Sequence, residues 1–224
     1  MAPPPVPALR AVRAGGIGAA RPGIATAIGK RTLDVVGAAI GLLVLSPVLL
    51  VVSIAVLAPG RGGVLFRQTR VGLRGKPFTI LKFRTMTAGA DDELMRLLRD
   101  QGRGDEPLFK VDHDPRITRL GRFLRRYSLD ELPQLVNVLI GQMSLVGPRP
   151  QRAEEVALYD AVAAERLAVR PGLTGLWQVS GRSRLGWSEA LELDLEYARN
   201  VSVWLDVTII VRTFAAVLRA DGAV

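Results

Sequence analysis

Leu33–Ala58 reads LDVVGAAIGLLVLSPVLLVVSIAVLA, an apolar run whose only polar side chains are Asp34, Ser46 and Ser53. As a helix rising ~1.5 Å per residue it is long enough to cross a hydrocarbon core of about 30 Å. Two details compete with a simple span. Pro47 has no backbone donor and crowds the preceding turn, so the helix should bend at Ser46-Pro47, with the Ser hydroxyl available to the freed carbonyl. The flanks also match: Lys30 and Arg31 precede the run, Arg61, Arg67, Arg70 and Arg74 follow it, and no positive-inside asymmetry sets an orientation. A re-entrant helix-break-helix with both ends on one side fits both details. A kinked spanning helix is the alternative, and the pattern does not separate them.

On the N-terminal side, residues 1–32 are rich in Pro, Gly and Ala and carry Arg10, Arg13, Arg21, Lys30 and Arg31 with no acid. That composition predicts a flexible basic tail drawn to anionic lipid. A secretory signal would need its apolar core sooner after the Met and a small-residue cleavage site behind it. On the other side, Pro59-Gly60 marks a change to soluble-domain composition. The chain therefore divides into a tail (1–32), a membrane helix (33–58) and a unit of one ordinary core (59–224).

Within that unit, Val64–Gln68 and Phe78–Arg84 read as strands joined through Gly72–Pro77 into a hairpin. Asp91–Asp100 reads as a short helix and Gln101–Pro107 as a loop. Leu120, Phe123, Leu124 and Tyr127 repeat at helical spacing, with Arg119, Arg122, Arg125 and Arg126 on the other face, a basic amphipathic helix suited to a membrane interface or a phosphate. A further helix should begin near Asp130, since Pro133 is tolerated only in a first turn, and Gly147-Pro148-Arg149-Pro150 should stop it. Ala153–Leu167 reads as one helix, Arg170–Gly181 as a Gly-rich loop, and Trp204–Arg219 as a closing apolar helix. The fold class is mainly α with a small hairpin (α+β).

Composition narrows the chemistry. A formal charge of +9 across 224 residues points to phosphates, anionic lipid or nucleic acid. With no Cys, thiolate metal sites and Cys nucleophiles are excluded, and with His113 as the one histidine a His-based site is disfavoured. Acid, base or metal-ligand work falls to carboxylates. Aromatics are 5% of the chain and scattered, unlike a base-stacking surface.

Ser128-Leu129-Asp130-Glu131-Leu132-Pro133 is the candidate centre. Ser-x-x-Glu is also a capping-box pattern, and local pattern alone favours that reading. The functional reading has a helix N-terminus keep Asp130 ionised and attract a phosphate, while Glu131, about 100° round the helix, holds a hard cation. Arg149, fixed between prolines, offers a bidentate fork to phosphate, and Lys82 and Arg84 at the end of the second strand could join it. Against these stand a plain helix stop and an edge strand guarded by charge. Asp112, His113 and Asp114 could bind metal, but Asp-Pro turn chemistry accounts for them.

Taken in order, the motifs resemble the bacterial sugar transferases, the monotopic polyprenyl-phosphate hexose-1-phosphate transferases. They are Lys30-Arg31-Thr32-Leu33-Asp34, Ser46-Pro47, Lys82-Phe83-Arg84-Thr85-Met86, Ser128–Leu135, Met143–Pro150 and Arg170–Val179. The resemblance implies that Asp130 attacks the β-phosphorus of a UDP-sugar, releasing UMP and forming an aspartyl phosphosugar that polyprenyl (undecaprenyl) phosphate then takes up. It associates Glu131 with Mg²⁺ (or Mn²⁺) and makes Arg149 a phosphate ligand, with Lys82, Arg125 and an Asp placed at Asp206 also implicated. It further implies a re-entrant helix broken at Ser46-Pro47, amphipathic helices on the cytoplasmic leaflet of a bacterial inner membrane, and no nucleic-acid partner. Apolar helices facing lipid or a second copy have one pattern, so a homo-oligomer stays open. The alternative of another class is a non-catalytic basic scaffold tethered to membrane.

Overall fold

The computed structural model describes residues 23–58, 63–87, 114–181 and 185–219. The expected helix Asp91–Asp100, the loop Gln101–Pro107, Asp112, His113 and most of the N-terminal tail lie outside them.

The bend falls at Ser46-Pro47. Helix α1 (Ile24–Val44) and helix α2 (Ser46–Leu57) meet at 62°. Pro47 would have donated to the carbonyl four residues back, Leu43, and the Ser46 hydroxyl donates to that oxygen instead at 2.8 Å. Among the described residues no single helix is long and apolar enough to cross a membrane, but this bent pair is, taken together. Helix α1 begins at Ile24, earlier than Leu33, so Lys30 and Arg31 belong to the helix with Asp34 and not to the tail.

The hairpin pairs β1 (Leu65–Val71) antiparallel with β2 (Pro77–Phe83), Leu65 opposite Phe83 and Val71 opposite Pro77. Two apolar clusters fix β2 from opposite ends. Phe78 and Ile80 pack with Ala38 of α1 and Leu135, Val138 and Met143, whereas Phe83 packs with Val52 of α2 and Leu124. Lys82 is therefore held between residues gripped by the two halves of the bent helix. Asn137, 1% exposed, pins the strand by accepting from Leu81 N (3.1 Å) and donating to Thr79 O (2.7 Å).

Helix α3 (Arg119–Arg126) is capped by Thr118, whose hydroxyl accepts from Gly121 N at 2.9 Å. Its apolar stripe divides: Leu124 is buried, while Phe123 is 54% exposed and stacks on Tyr127. A 3-10 turn (Leu129–Glu131) leads to the short helix α4 (Gln134–Leu139). The helix expected from Asp130 thus starts later, because Pro133 cannot donate and the bonds before it run Glu131 N to Ser128 O and Leu132 N to Leu129 O.

Two further expectations are corrected. Ala153–Leu167 is not one helix but α5 (Ala153–Ala157) and a 3-10 segment (Ala163–Ala168). Asp160 makes the break, its carboxylate accepting from Ala163 N at 2.7 Å in competition with the helical ladder. Arg170–Gly181 is not a loop but strand β4 (Gly172–Thr174) and helix α6 (Leu176–Ser180), with β4 parallel to β3 (Ser144–Val146). The approach demands glycine: a Cβ on Gly172 would sit 2.0 Å from Gly147 N. Helices α7 (Trp187–Arg199) and α8 (Val203–Arg219) close the fold, burying Tyr197, Ala198 and Ile209 against Val146, Val169 and Leu176.

Candidate active site

The dyad turn opens on a strained residue. Ser128 takes a left-handed conformation (φ 55°, ψ 21°) and its side chain makes no capping bond, at a backbone cost of roughly 1–2 kcal/mol for a residue with a Cβ. The capping-box reading fails there, and Glu131 turns to other partners. Its Oε1 accepts from Lys82 Nζ at 2.6 Å and from Arg149 at 3.2 Å. Burial alone would raise Glu131, but Lys82 and then Arg149 overcome it and hold the carboxyl down at about 2. Burial lowers Lys82 despite the pull of Glu131 the other way.

Asp130 behaves oppositely. It is 7% exposed, and among the described residues its carboxylate has no hydrogen-bond partner. Burial, and next the charge of Glu131, raise it above the ordinary Asp value, while Lys82, Arg125 and Arg149 pull it back. The helix N-terminus expected at Asp130 lies further on, at Gln134, and burial dominates the shift of Asp130 instead. Neighbouring carboxyls pushed apart in this way take different jobs: one stays a fixed charge, and the other is a more basic oxygen free to attack.

Arg125 is turned inward, unlike the exposed Arg119, Arg122 and Arg126, and its Nε donates to Thr85 Oγ1 at 2.9 Å. Arg84 does not join the dyad, and its Nε is buried without a partner. Asp206 is not brought here either. It is fully buried and paired with Lys30 at 2.6 Å, with Tyr197 at 2.7 Å.

Several positioning residues had no role assigned from the sequence. Arg166 donates to the backbone oxygen of Arg149 at 3.1 Å while paired with Asp194 and Tyr159. Arg31 donates to Val138 O and Leu139 O, both at 2.8 Å, capping α4. Asp34 accepts from Ser144 Oγ and Leu145 N, both at 2.8 Å, tying α1 to β3. Lys30, Arg31 and Asp34 stood in a motif of the resemblance and beside an apolar run, where charge is costly, but neither signal named their partners.

Among the described residues no three acidic or His side chains gather as a metal site. The remaining donor is Glu131 Oε2, which accepts no hydrogen bond among those residues. One carboxylate oxygen beside a phosphate site fits Mg²⁺, which takes one or two carboxylates and completes its shell with water and substrate phosphates.

Two cations, Lys82 and Arg149, thus gather on a clamped carboxylate, Glu131, beside an unpaired one, Asp130. Residues 25–220 match the sequence pattern of the bacterial sugar transferases, and the chain belongs to that family. It is 45% identical over 197 residues to an uncharacterized sugar transferase of Haemophilus influenzae, covering 87% of this chain and 42% of that one. It is 41% identical over 197 residues to the exopolysaccharide production protein ExoY of Rhizobium meliloti, covering 87% of each. To the UDP-glucose:undecaprenyl-phosphate glucose-1-phosphate transferase of Caulobacter vibrioides it is 43% identical over 212 residues, 90% of this chain and 74% of that one. The chain thus spans under half the length of some relatives and most of others.

Proposed function

We propose that the chain transfers a sugar 1-phosphate from a UDP-sugar to polyprenyl phosphate, giving polyprenyl-diphospho-sugar and UMP, a first step of exopolysaccharide or glycoconjugate assembly. The observation that carries the reading is the split dyad, Asp130 unpaired and raised beside Glu131 clamped by Lys82 and Arg149. An Asp130 oxygen attacks the β-phosphorus, the bond to the bridging oxygen breaks, and that oxygen leaves with its electron pair on UMP. A polyprenyl phosphate oxygen then attacks the same phosphorus and the Asp130 carboxylate is restored. Lys82 and Arg149 face the phosphoryl charge, and Arg125 lies close enough to draw Asp130 down. Glu131 would hold Mg²⁺ or Mn²⁺ through Oε2, where the ion supplies charge neutralisation on the diphosphate.

The bilayer is the second part of the proposal. Large apolar side chains stand exposed along the outer face of α1 and α2 (Ile28, Ile40, Leu43, Leu50, Ile54) and of α8 (Trp204, Phe214, Leu218), a display that soluble monomers rarely carry. With the bend, this supports a re-entrant pair dipping into the cytoplasmic leaflet of the inner membrane, so that a soluble nucleotide sugar meets a lipid phosphate at the interface.

The test is UMP release by purified protein in detergent, with Mg²⁺, undecaprenyl phosphate and a panel of UDP-sugars. Lipid-dependent UMP from one donor, lost on Asp130→Asn, is expected. No UMP from any donor overturns the reading.

A further inference from the structure

Beside the dyad, a cleft open to solvent lies between the hairpin and the Pro-Arg-Pro turn, lined by Arg70, Lys82, Glu131, Gln134 and Arg149. Two of its residues have no part in the mechanism so far, and both keep hydrogen-bonding capacity in reserve.

Gln134 stands on the first turn of α4, and its side chain is buried at 2% exposure with Nε2 unpartnered. A buried amide N–H with nothing to donate to is destabilising, so the site holds a donor against its own stability. Arg70 reaches the cleft from β1. The register places Arg70 opposite Phe78 and Phe66 opposite Lys82, so Arg70 and Lys82, each an even number of positions from the other's partner, share one face of the hairpin. Arg70 is held by Gln68 at 2.6 Å and more loosely by Glu155 at 3.4 Å, while its Nε is buried and unpartnered. Burial and the nearby Arg149 draw Arg70 down to about 10, the mark of a guanidinium whose charge is under-neutralised where it sits.

We infer that Arg70 and Gln134 form the second half of a diphosphate clamp, gripping the phosphate that leaves with the nucleotide while Lys82 and Arg149 hold the phosphoryl group that Asp130 attacks. This rests on the function proposed above and adds to it a division of labour. As the bond between phosphorus and bridging oxygen breaks, that oxygen gains a negative charge on the departing UMP, and the Arg70 guanidinium and the Gln134 amide donate to that phosphate. A nucleoside monophosphate should therefore bind here through its phosphate.

The experiment measures binding of UMP, uridine and pyrophosphate to the full chain in detergent, and turnover against each substrate, for wild type, Arg70→Met, Arg70→Lys and Gln134→Leu. Wild type should prefer UMP to uridine. Arg70→Met should lower that preference by about 10–100-fold, the value of a charge-assisted contact, and leave uridine affinity unchanged. Arg70→Lys, which keeps the charge and guards against misfolding, should recover part of the preference, and Gln134→Leu should show a smaller loss of the same kind. An Arg70→Met protein that keeps the full preference, or that loses uridine equally, overturns the inference. Arg70-dependent binding of pyrophosphate without turnover of any UDP-sugar would uphold the clamp and overturn the transferase reading.

Discussion

Two ionic clusters lie three residues apart along the chain, and they differ in what they leave over. At Val146, Lys30 spends its three donors on Val146 O (2.9 Å), Tyr197 Oη (2.8 Å) and Asp206 Oδ2 (2.6 Å), with Asp206 fully buried. At Arg149, Lys82 and Arg149 share one oxygen of Glu131, while Asp130 has no hydrogen-bond partner among the described residues. The first cluster is saturated and joins α1, β3, α7 and α8. The second has unpaired carboxylate oxygens to spare, on Asp130 and on Glu131 Oε2. Buried polar groups that are fully satisfied specify a structure, whereas groups left open beside solvent are what a ligand completes.

The comparison is broken most directly at Glu131. Glu131→Gln removes the charge that Lys82 and Arg149 share, and turnover should drop by about 10²–10³-fold, the scale for losing one preorganised electrostatic element. Steady-state kinetics reads it, and a loss under threefold would contradict the clamp. At the saturated cluster, Lys30→Met strands a buried carboxylate and should cost about 3–5 kcal/mol, while Lys30→Met with Asp206→Leu should recover most of it; thermal melts in detergent decide. If instead Asp206→Asn keeps its melting temperature and loses turnover, Asp206 belongs to the catalytic set and the contrast fails.

The smallest effect is on the pH profile. Only ionised Asp130 attacks, and its pKa is raised, so the rate should fall as pH drops through a value above the ordinary 3.8. Glu131, held at about 2, stays ionised over that range and adds no limb. An acid limb at or below 3.8 in log kcat/KM would sink the assignment.

What the sequence made legible was local. The bend needed only Ser46-Pro47 in an apolar run, and the hairpin only two β-rich stretches about a Gly-containing turn. The dyad, Arg149 and Lys82 were found because unusual residues stood in short motifs, and the structure brings them together. Strands β3 and β4, three residues each, are too short to show alternation, and their pairing depends on two glycine backbones meeting. The Lys30–Asp206 bond spans 176 residues, and no local pattern announces such a partner. Asp206 was placed near phosphate by resemblance alone, and its burial with Lys30 is a tertiary fact. Arg70 looked like a flanking charge because its role depends on register and on what faces the strand.

The measurement that tests the central claim most directly is exchange of labelled UMP into unlabelled UDP-sugar without polyprenyl phosphate. An unpaired Asp130 acting as nucleophile predicts metal-dependent exchange in the wild type, a sugar phosphate recoverable on the peptide containing Asp130, and neither with Asp130→Asn. Lipid-dependent turnover with no exchange and no adduct would contradict it, placing the attack on the lipid phosphate itself.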